Sequence, residues 1–363
     1  MLSLRTVLNF ARLQTITVAF YLSRFQNMKK WIHRILIAVA ILLAVFAVFF
    51  MFLAQKEVPE RITYGISYNV PYVRELGLDE DAVFDAFLDD LGARDLRMSA
   101  HWTLIEPEKN QFEFAWMDRD IKKAEEAGAR VIFGVGRRLP RWPECHVPLW
   151  ARDMEWKDQK TEIREYITAV VTRYKDSPAI THWQVENEPY LGLFAHDHCG
   201  DLDEEFLEEE IALVKSLDPS RPILVTDSGN LGTWRGAYKN GDSFGTSVYV
   251  YFWNPELGQF KTILPPWFYR VKENILSLIY SDKETFLIEL SLEPWLLEPV
   301  TEVPVETQYS RMDREKFDEI IRYARETRYE KQYLWGGEWW YWLREQGHPE
   351  MWERGTALFH EGI

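Results

Sequence analysis

Hydrophobic positions fall into two regimes along the chain. From Ile35 to Ala54, twenty consecutive residues (ILIAVAILLAVFAVFFMFLA) include no charged or strongly polar member. At a rise of about 1.5 Å per residue, such a run matches a hydrocarbon core of roughly 30 Å and predicts a single membrane-spanning helix. After residue 60 the pattern changes to short apolar runs that alternate with stretches of helical period. The runs Ile62–Tyr68, Arg94–Ala100, Arg130–Val135, Ile180–Val185, Pro222–Thr226, Ser243–Tyr249, Glu284–Leu290 and Lys331–Glu338 read as strands. Between them, Asp79–Leu91, Trp116–Ala127, Gln159–Tyr174, Asp203–Leu217, Trp267–Tyr280 and Arg311–Thr327 carry helical spacing, while 230–242 is poor in helix formers and predicts a short helix or none.

Sequential strand–helix alternation implies a parallel sheet, and eight units in about 300 residues fit a closed (β/α)₈ TIM barrel, an α/β fold. The first strand is followed by no glycine-rich phosphate loop, which counts against a dinucleotide-binding sheet.

Charge sharpens the division. Residues 1–54 hold Arg5, Arg12, Arg24, Lys29, Lys30 and Arg34 and no acid, whereas the remainder carries 36 basic against 57 acidic residues, −21. An acidic body repels nucleic acid and polyanionic glycans, so neither is an expected partner. All the basic charge flanking the span precedes it. The positive-inside rule then predicts a cytoplasmic segment over 1–34, a signal-anchor over 35–54, a linker over 55–61 and a catalytic domain over 62–363 outside the cytoplasmic membrane. A cleaved signal peptide is the rival, but the run exceeds the usual 7–15 residues and Phe52-Leu53-Ala54 is a poor cleavage site. Met28-Lys29-Lys30 also reads as a natural start, which would make residues 1–27 an upstream extension.

The two cysteines, Cys145 and Cys199, lie in polar, turn-rich stretches on the side of the membrane where disulfides persist, and a bridge between them is expected. A zinc site from Cys145, His146, Cys199 and another histidine is the alternative, although the spacing matches no compact zinc motif. No His-x-x-Glu-His cluster or Asp-rich loop points to a metal-dependent hydrolase, and no cofactor is expected. Among the 16 Trp, those at loop-like positions such as Trp142, Trp253, Trp295 and Trp339 are candidate sugar platforms, since flat rings stack on apolar sugar faces. Core packing competes with that reading.

Chemistry in such a barrel gathers at the C-terminal ends of the strands. The fourth predicted strand ends in Trp183-Gln184-Val185-Glu186-Asn187-Glu188-Pro189, and the seventh contains Phe286-Leu287-Ile288-Glu289-Leu290. A carboxylate inside so apolar a run is costly unless it has a partner or a task. Glu188 and Glu289 are about three βα units apart, as expected of strands on opposite sides of one barrel. Two carboxyls flanking a glycosidic bond are what retaining hydrolysis needs, one as acid/base and one as nucleophile.

Asn187-Glu188-Pro189 with Glu289 resembles the clan A glycoside hydrolases, a superfamily that includes cellulases, mannanases, β-galactosidases and β-xylosidases. The resemblance covers residues 62–345. It implies Glu188 as acid/base, Glu289 as nucleophile, Asn187 as ligand of the sugar 2-hydroxyl and Arg97 as partner of the nucleophile. Tyr249, with Tyr251 in reserve, matches the tyrosine that bonds the nucleophile, and Trp339 and Trp340 compete for the tryptophan that floors the sugar site. It also implies β-linked substrates.

His101 and Trp102 follow the second strand where other polar residues can stand, and join the candidate substrate-binding set. Glu186 and Glu293 are additional acids close to the proposed pair, Glu293 being a rival nucleophile or a loop ligand. Arg137, Arg138 and Arg141 read as hydroxyl ligands or loop salt bridges, and His196 and His198 as solvated or substrate-lining. The function expected is a membrane-anchored retaining glycosidase acting on an oligo- or polysaccharide. Transglycosylation and a catalytically silent, tethered carbohydrate-binding protein are the alternatives.

Overall fold

The computed structural model describes residues 4–55, 57–193 and 196–361, with side chains described from residue 28 to residue 360. The chain divides into two compact units, Met1–Gln55 and Lys56–Ile363. The first is one helix, Leu4–Leu53, in which Met28–Leu53 is long and apolar enough to cross a membrane. The helix starts well before Ile35 and runs through Lys29, Lys30 and Arg34. The expectation that residues 1–27 are an extension falls partly outside the described residues.

The second unit is a closed barrel of eight parallel strands: β1 (Thr63–Tyr68), β2 (Asp95–Ser99), β3 (Arg130–Val135), β4 (Ile180–Val185), β5 (Ile223–Asp227), β6 (Ser243–Val248), β7 (Thr285–Ser291) and β8 (Lys331–Trp335). Each strand pairs with its sequence neighbour and β1 closes onto β8, with Ile66 opposite both Leu96 and Leu334.

Two separate apolar layers explain why the strands read as continuous hydrophobic runs. Inside the barrel, Ile132, Leu224, Phe286, Ile288 and Tyr333 pack together. Gly65 makes room there, since a Cβ at that position would lie 2.7 Å from the Tyr333 ring. Outside, the second face of each strand meets the helices in one large core that includes Phe84, Phe87, Tyr166, Ile167, Val214 and Ile320.

The helices start where the sequence punctuates them. Asp79, Asp203 and Asp313 accept from the backbone N–H of Ala82, Phe206 and Lys316 at 2.8, 3.0 and 2.8 Å, caps worth about 1 kcal/mol each. The connection after β5 does hold a short helix, Arg235–Asn240.

One strand end departs from expectation. The last strand stops at Trp335, because Gly336 takes a left-handed φ of 114° and a helix, Gly337–Glu345, begins at once. A side chain at 336 would also collide with Glu293, whose Cβ would be 2.8 Å away. The periodicity did not mark the hairpin of Tyr251–Asn254 with Gly258–Lys261, nor the short helices Val70–Glu75, Trp102–Ile105 and Val305–Arg311.

Candidate active site

Glu289 sits two residues before the end of β7, opposite Ser247 of β6, where the ladder slips by a bulge. It is 5% exposed. Arg97 of β2, also buried, donates from Nη1 to its Oε2 at 2.9 Å, and the Tyr249 hydroxyl donates to its Oε1. The same guanidinium donates from Nε to Gln184 Oε1 at 2.9 Å and from Nη2 to Asn187 Oδ1 at 2.6 Å. One planar fork thus fixes the ends of β2, β4 and β7 together, a task that lysine, with its single point charge, does not fulfil. Because the Asn187 oxygen is taken up by Arg97, its amide NH₂ remains to donate.

The end of β4 is built differently. Strand β4 ends at Val185, and Glu186 and Glu188 then adopt left-handed φ values of 57° and 44°. Such a backbone costs of order 1–2 kcal/mol per residue and persists because the neighbours hold it. The Glu188 N–H donates to Thr226 Oγ1 at 2.9 Å. Its carboxyl oxygen Oε1 is buried with no hydrogen-bond partner among the described residues. Burial, and then the negative charge of Glu289, push the Glu188 carboxyl up to about 8.

The strand ends before alternation can put Glu186 beside Glu188. Glu186 instead accepts from the backbone N–H groups of Arg137 and Arg138, at 2.7 and 2.5 Å, tying the loop after β3 to the end of β4. Gly136 (φ 121°) permits this, since a Cβ there would lie 2.6 Å from the Glu186 carboxylate. Glu186 is therefore scaffold.

Several other candidates are moved by the structure. Trp339 and Trp340 are fully buried on the helix after β8, donating to Gln308 Oε1 and to the Leu292 carbonyl, so neither floors a sugar site. The tryptophan at the end of β8 is Trp335, whose Nε1 donates to Glu293 at 2.7 Å. His101 and Trp102 are also fully buried. His101 contacts the Pro140 carbonyl at 3.1 Å, and Trp102 donates to Glu106 at 2.8 Å, so both hold loops and touch no substrate. The Tyr251 hydroxyl donates to Glu319, which removes it as a reserve for Tyr249.

Glu293 is bound bidentately by Arg141 at 2.5 and 2.9 Å, and Arg138 pairs with Glu144 at 2.7 Å. These arginines form loop salt bridges, and Glu293 is no free nucleophile. Trp295 lies edge-on at 5.6 Å to Tyr249, whose hydroxyl reaches Glu289. Trp142 is 66% exposed and meets the His198 ring edge-on at 4.7 Å. Cys145 and Cys199 form a disulfide that joins the loops after β3 and β4, so neither sulfur remains to hold zinc.

Besides Trp335, a second site residue escaped the sequence reading. Burial raises the Glu144 carboxyl against the pull of Arg138, and Glu289 adds to the rise. Its charge is also among those that raise Glu188. Glu144 therefore brings a third carboxyl close to the pair, from a loop whose path no local pattern predicts.

A closed parallel barrel with carboxylates at the ends of β4 and β7 defines a class, and the known proteins agree with it. The sequence matches Glycosyl hydrolase family 10 over residues 96–195, which includes Arg97 and Glu188. It also matches the Beta-galactosidase family, glycosyl hydrolase family 42, over residues 151–320, which includes both Glu188 and Glu289. Neither match spans half of the chain, but together they run from residue 96 to residue 320 and support a clan A glycoside hydrolase.

Among similar proteins, the beta-galactosidase BgaH of Haloferax lucentense is 23% identical over 186 residues, 46% of this chain and 24% of that protein. The probable mannan endo-1,4-beta-mannosidase F of Emericella nidulans is 32% identical over 157 residues, 39% of this chain and 34% of that protein. The chain thus spans about a quarter of the length of the beta-galactosidases it matches. Two solved structures share the fold. A GH5_18 protein of Bifidobacterium longum subsp. longum has a TM-score of 0.52 at 14% identity, covering 76% of this chain and 70% of that one. Xylanase 10B of Thermotoga maritima has a TM-score of 0.50 at 15% identity, covering 76% and 83%.

Proposed function

We propose that this chain is a retaining β-glycosidase, with Glu289 as nucleophile and Glu188 as acid/base. The observation that carries the reading is the opposite setting of the two carboxyls. Glu289 receives Arg97 and Tyr249 on its two oxygens, the surroundings of an anion. Glu188 is buried beside that anion, with one oxygen unpartnered among the described residues, the surroundings of a proton donor.

In the first step Glu289 attacks the anomeric carbon. The bond to the leaving oxygen breaks, and Glu188 gives that oxygen its proton. In the second step Glu188 takes a proton from water, whose oxygen displaces Glu289 and releases the sugar. The Asn187 amide donates to the sugar 2-hydroxyl, and Trp295 and Trp142 offer ring faces to the substrate. The β-linkage follows from the relatives, named as beta-galactosidases and a mannan endo-1,4-beta-mannosidase. A catalytically silent binding protein has no use for the buried strain at Glu188.

The helix Met28–Leu53 serves as an uncleaved anchor with the N-terminus in the cytoplasm and the barrel outside, a side on which the Cys145–Cys199 disulfide persists.

The test is covalent trapping by 2-deoxy-2-fluoro aryl β-glycosides of the galacto, manno, gluco and xylo series. A glycosyl adduct on the peptide that contains Glu289 is expected. No adduct with any of the four sinks the retaining assignment.

A further inference from the structure

The mechanism leaves unexplained why the loop after β3 crosses the barrel mouth. Arg141, at a left-handed φ of 87°, ends among residues that follow three other strands: Tyr72 after β1, Glu293 after β7 and Trp335 at the end of β8. Its guanidinium forks onto Glu293 at 2.5 and 2.9 Å. It also lies 3.5 Å from the Tyr72 ring centroid and 4.2 Å from that of Trp335. Trp335 Nε1 donates to the Glu293 oxygen that Arg141 Nη1 contacts. Behind this group Glu338 accepts from the Asn69 N–H at 2.7 Å, with a carboxylate oxygen 3.7 Å from Arg141. In the order of the closed barrel, β2, β1 and β8 lie between β3 and β7 on this side, so the bridge passes over all three.

The loop is also fixed along its length. The disulfide anchors Cys145, the His101 ring meets the Pro140 carbonyl at 3.1 Å, and the His146 ring meets the Arg141 carbonyl at 3.1 Å. Leu139 N–H donates to the Glu144 carbonyl at 2.8 Å. The far end of the bridge, Glu293, is four residues beyond Glu289 and two beyond the end of β7, so the wall rises from the strand end that carries the proposed nucleophile.

A cleft that cuts internal bonds must be open at both ends, and this one is bridged at one. We propose that the site is a pocket for a single terminal sugar, with Arg141, Glu293 and Trp335 as its blind end. The enzyme would then act on the last bond of a chain and not on internal bonds. Arg141 and Glu293 each keep 12% of their side-chain surface exposed and supply charged donors and an acceptor to the terminal hydroxyls. This inference rests on the retaining reading and narrows it.

The experiment compares one-sugar and two-sugar forms of the 2-deoxy-2-fluoro reagents, the latter extended by a β-1,4-linked sugar at the non-reducing end, on the full chain in detergent. One-sugar reagents are expected to label Glu289, and their extended forms to label it at least about 100-fold more slowly, because the extra ring meets the wall. Equal or faster labelling by the extended forms overturns the pocket and leaves the retaining mechanism standing. Labelling by neither form overturns the mechanism and the pocket with it. Glu293→Gln is expected to slow labelling by the one-sugar reagents by about 10-fold. Trp335→Phe keeps an aromatic ring beside Arg141 and removes the N–H bond to Glu293 together with part of the wall's bulk, so it gives a second reading of the wall should Glu293→Gln fail to fold: the extended reagents should gain on the one-sugar reagents.

Discussion

The ends of β4 and β7 hold the same side chain and treat it in opposite ways. Strand β7 runs on past Glu289 with no left-handed residue, and donors arrive from two other elements, Arg97 on β2 and Tyr249 after β6. Strand β4 stops three residues before Glu188, the chain turns left-handed twice, and the carboxyl is left with a bare oxygen and an anionic neighbour. The role of a glutamate here is set by what its neighbours donate. Under the proposed roles, the group that must stay charged sits on extended strand, and the group that must stay neutral sits on left-handed backbone.

The largest expected effect tests the nucleophile. Glu289→Gln replaces an acceptor oxygen with an NH₂ that faces the donors of Arg97 and Tyr249, and it removes the attacking anion. We expect kcat to fall by about 10⁴-fold or more, measured on an aryl glycoside with purified protein. Glu188→Gln should cost about 10²–10⁴-fold on substrates whose leaving group needs a proton. With a dinitrophenolate leaving group, which departs unaided, the first step should survive and a glycosyl-enzyme should accumulate. An equal loss on both substrates would erase the contrast between the two sites.

Much of this contrast was legible in the sequence. All eight strands could be read because strands buried on both faces spell continuous apolar runs, and Glu289 stood out inside one of them. Arg97 and Asn187 came instead from the resemblance to the clan A enzymes, which matched them at the ends of the second and fourth runs. What escaped was anything decided by a turn or by a distant partner. Trp339 and Trp340 looked like strand-end residues because nothing in the apolar pattern marks the break at Gly336. Glu186 read only as an additional acid near the pair, because strand alternation does not reveal that its carboxylate turns back to two N–H groups nearly fifty residues upstream. The Arg141–Glu293 pair, 152 residues apart, leaves no local trace. The barrel is thus encoded in local pattern, while the walls of its mouth depend on long-range ion pairs.

A smaller effect is expected at the second donor to Glu289. Tyr249→Phe keeps the ring against Trp295 and removes the hydroxyl bond, leaving Arg97 in place. The expected loss is about 10–100-fold in kcat, with KM changed by less than threefold. A KM effect larger than the kcat effect would mean that Tyr249 positions the sugar and not the nucleophile.

The smallest effect is on stability, and its sign follows from the proton on Glu188. The usual value for this carboxyl is 4.5, and in the folded protein it is pushed up to about 8. Between those values the folded state holds the proton more tightly than the unfolded chain does. The acid therefore favours folding at low pH, and that contribution is lost as pH rises through the window, the reverse of an ion-paired carboxylate. Glu188→Gln keeps a neutral group of the same shape at every pH and escapes the loss. The variant should match the wild type near pH 4 and exceed it in Tm at pH 9, by an amount that the rise from 4.5 to about 8 caps at about 5 kcal/mol. Parallel Tm curves across that range would show that Glu188 is already ionised in the folded protein, and the division of roles between β4 and β7 would fail with it.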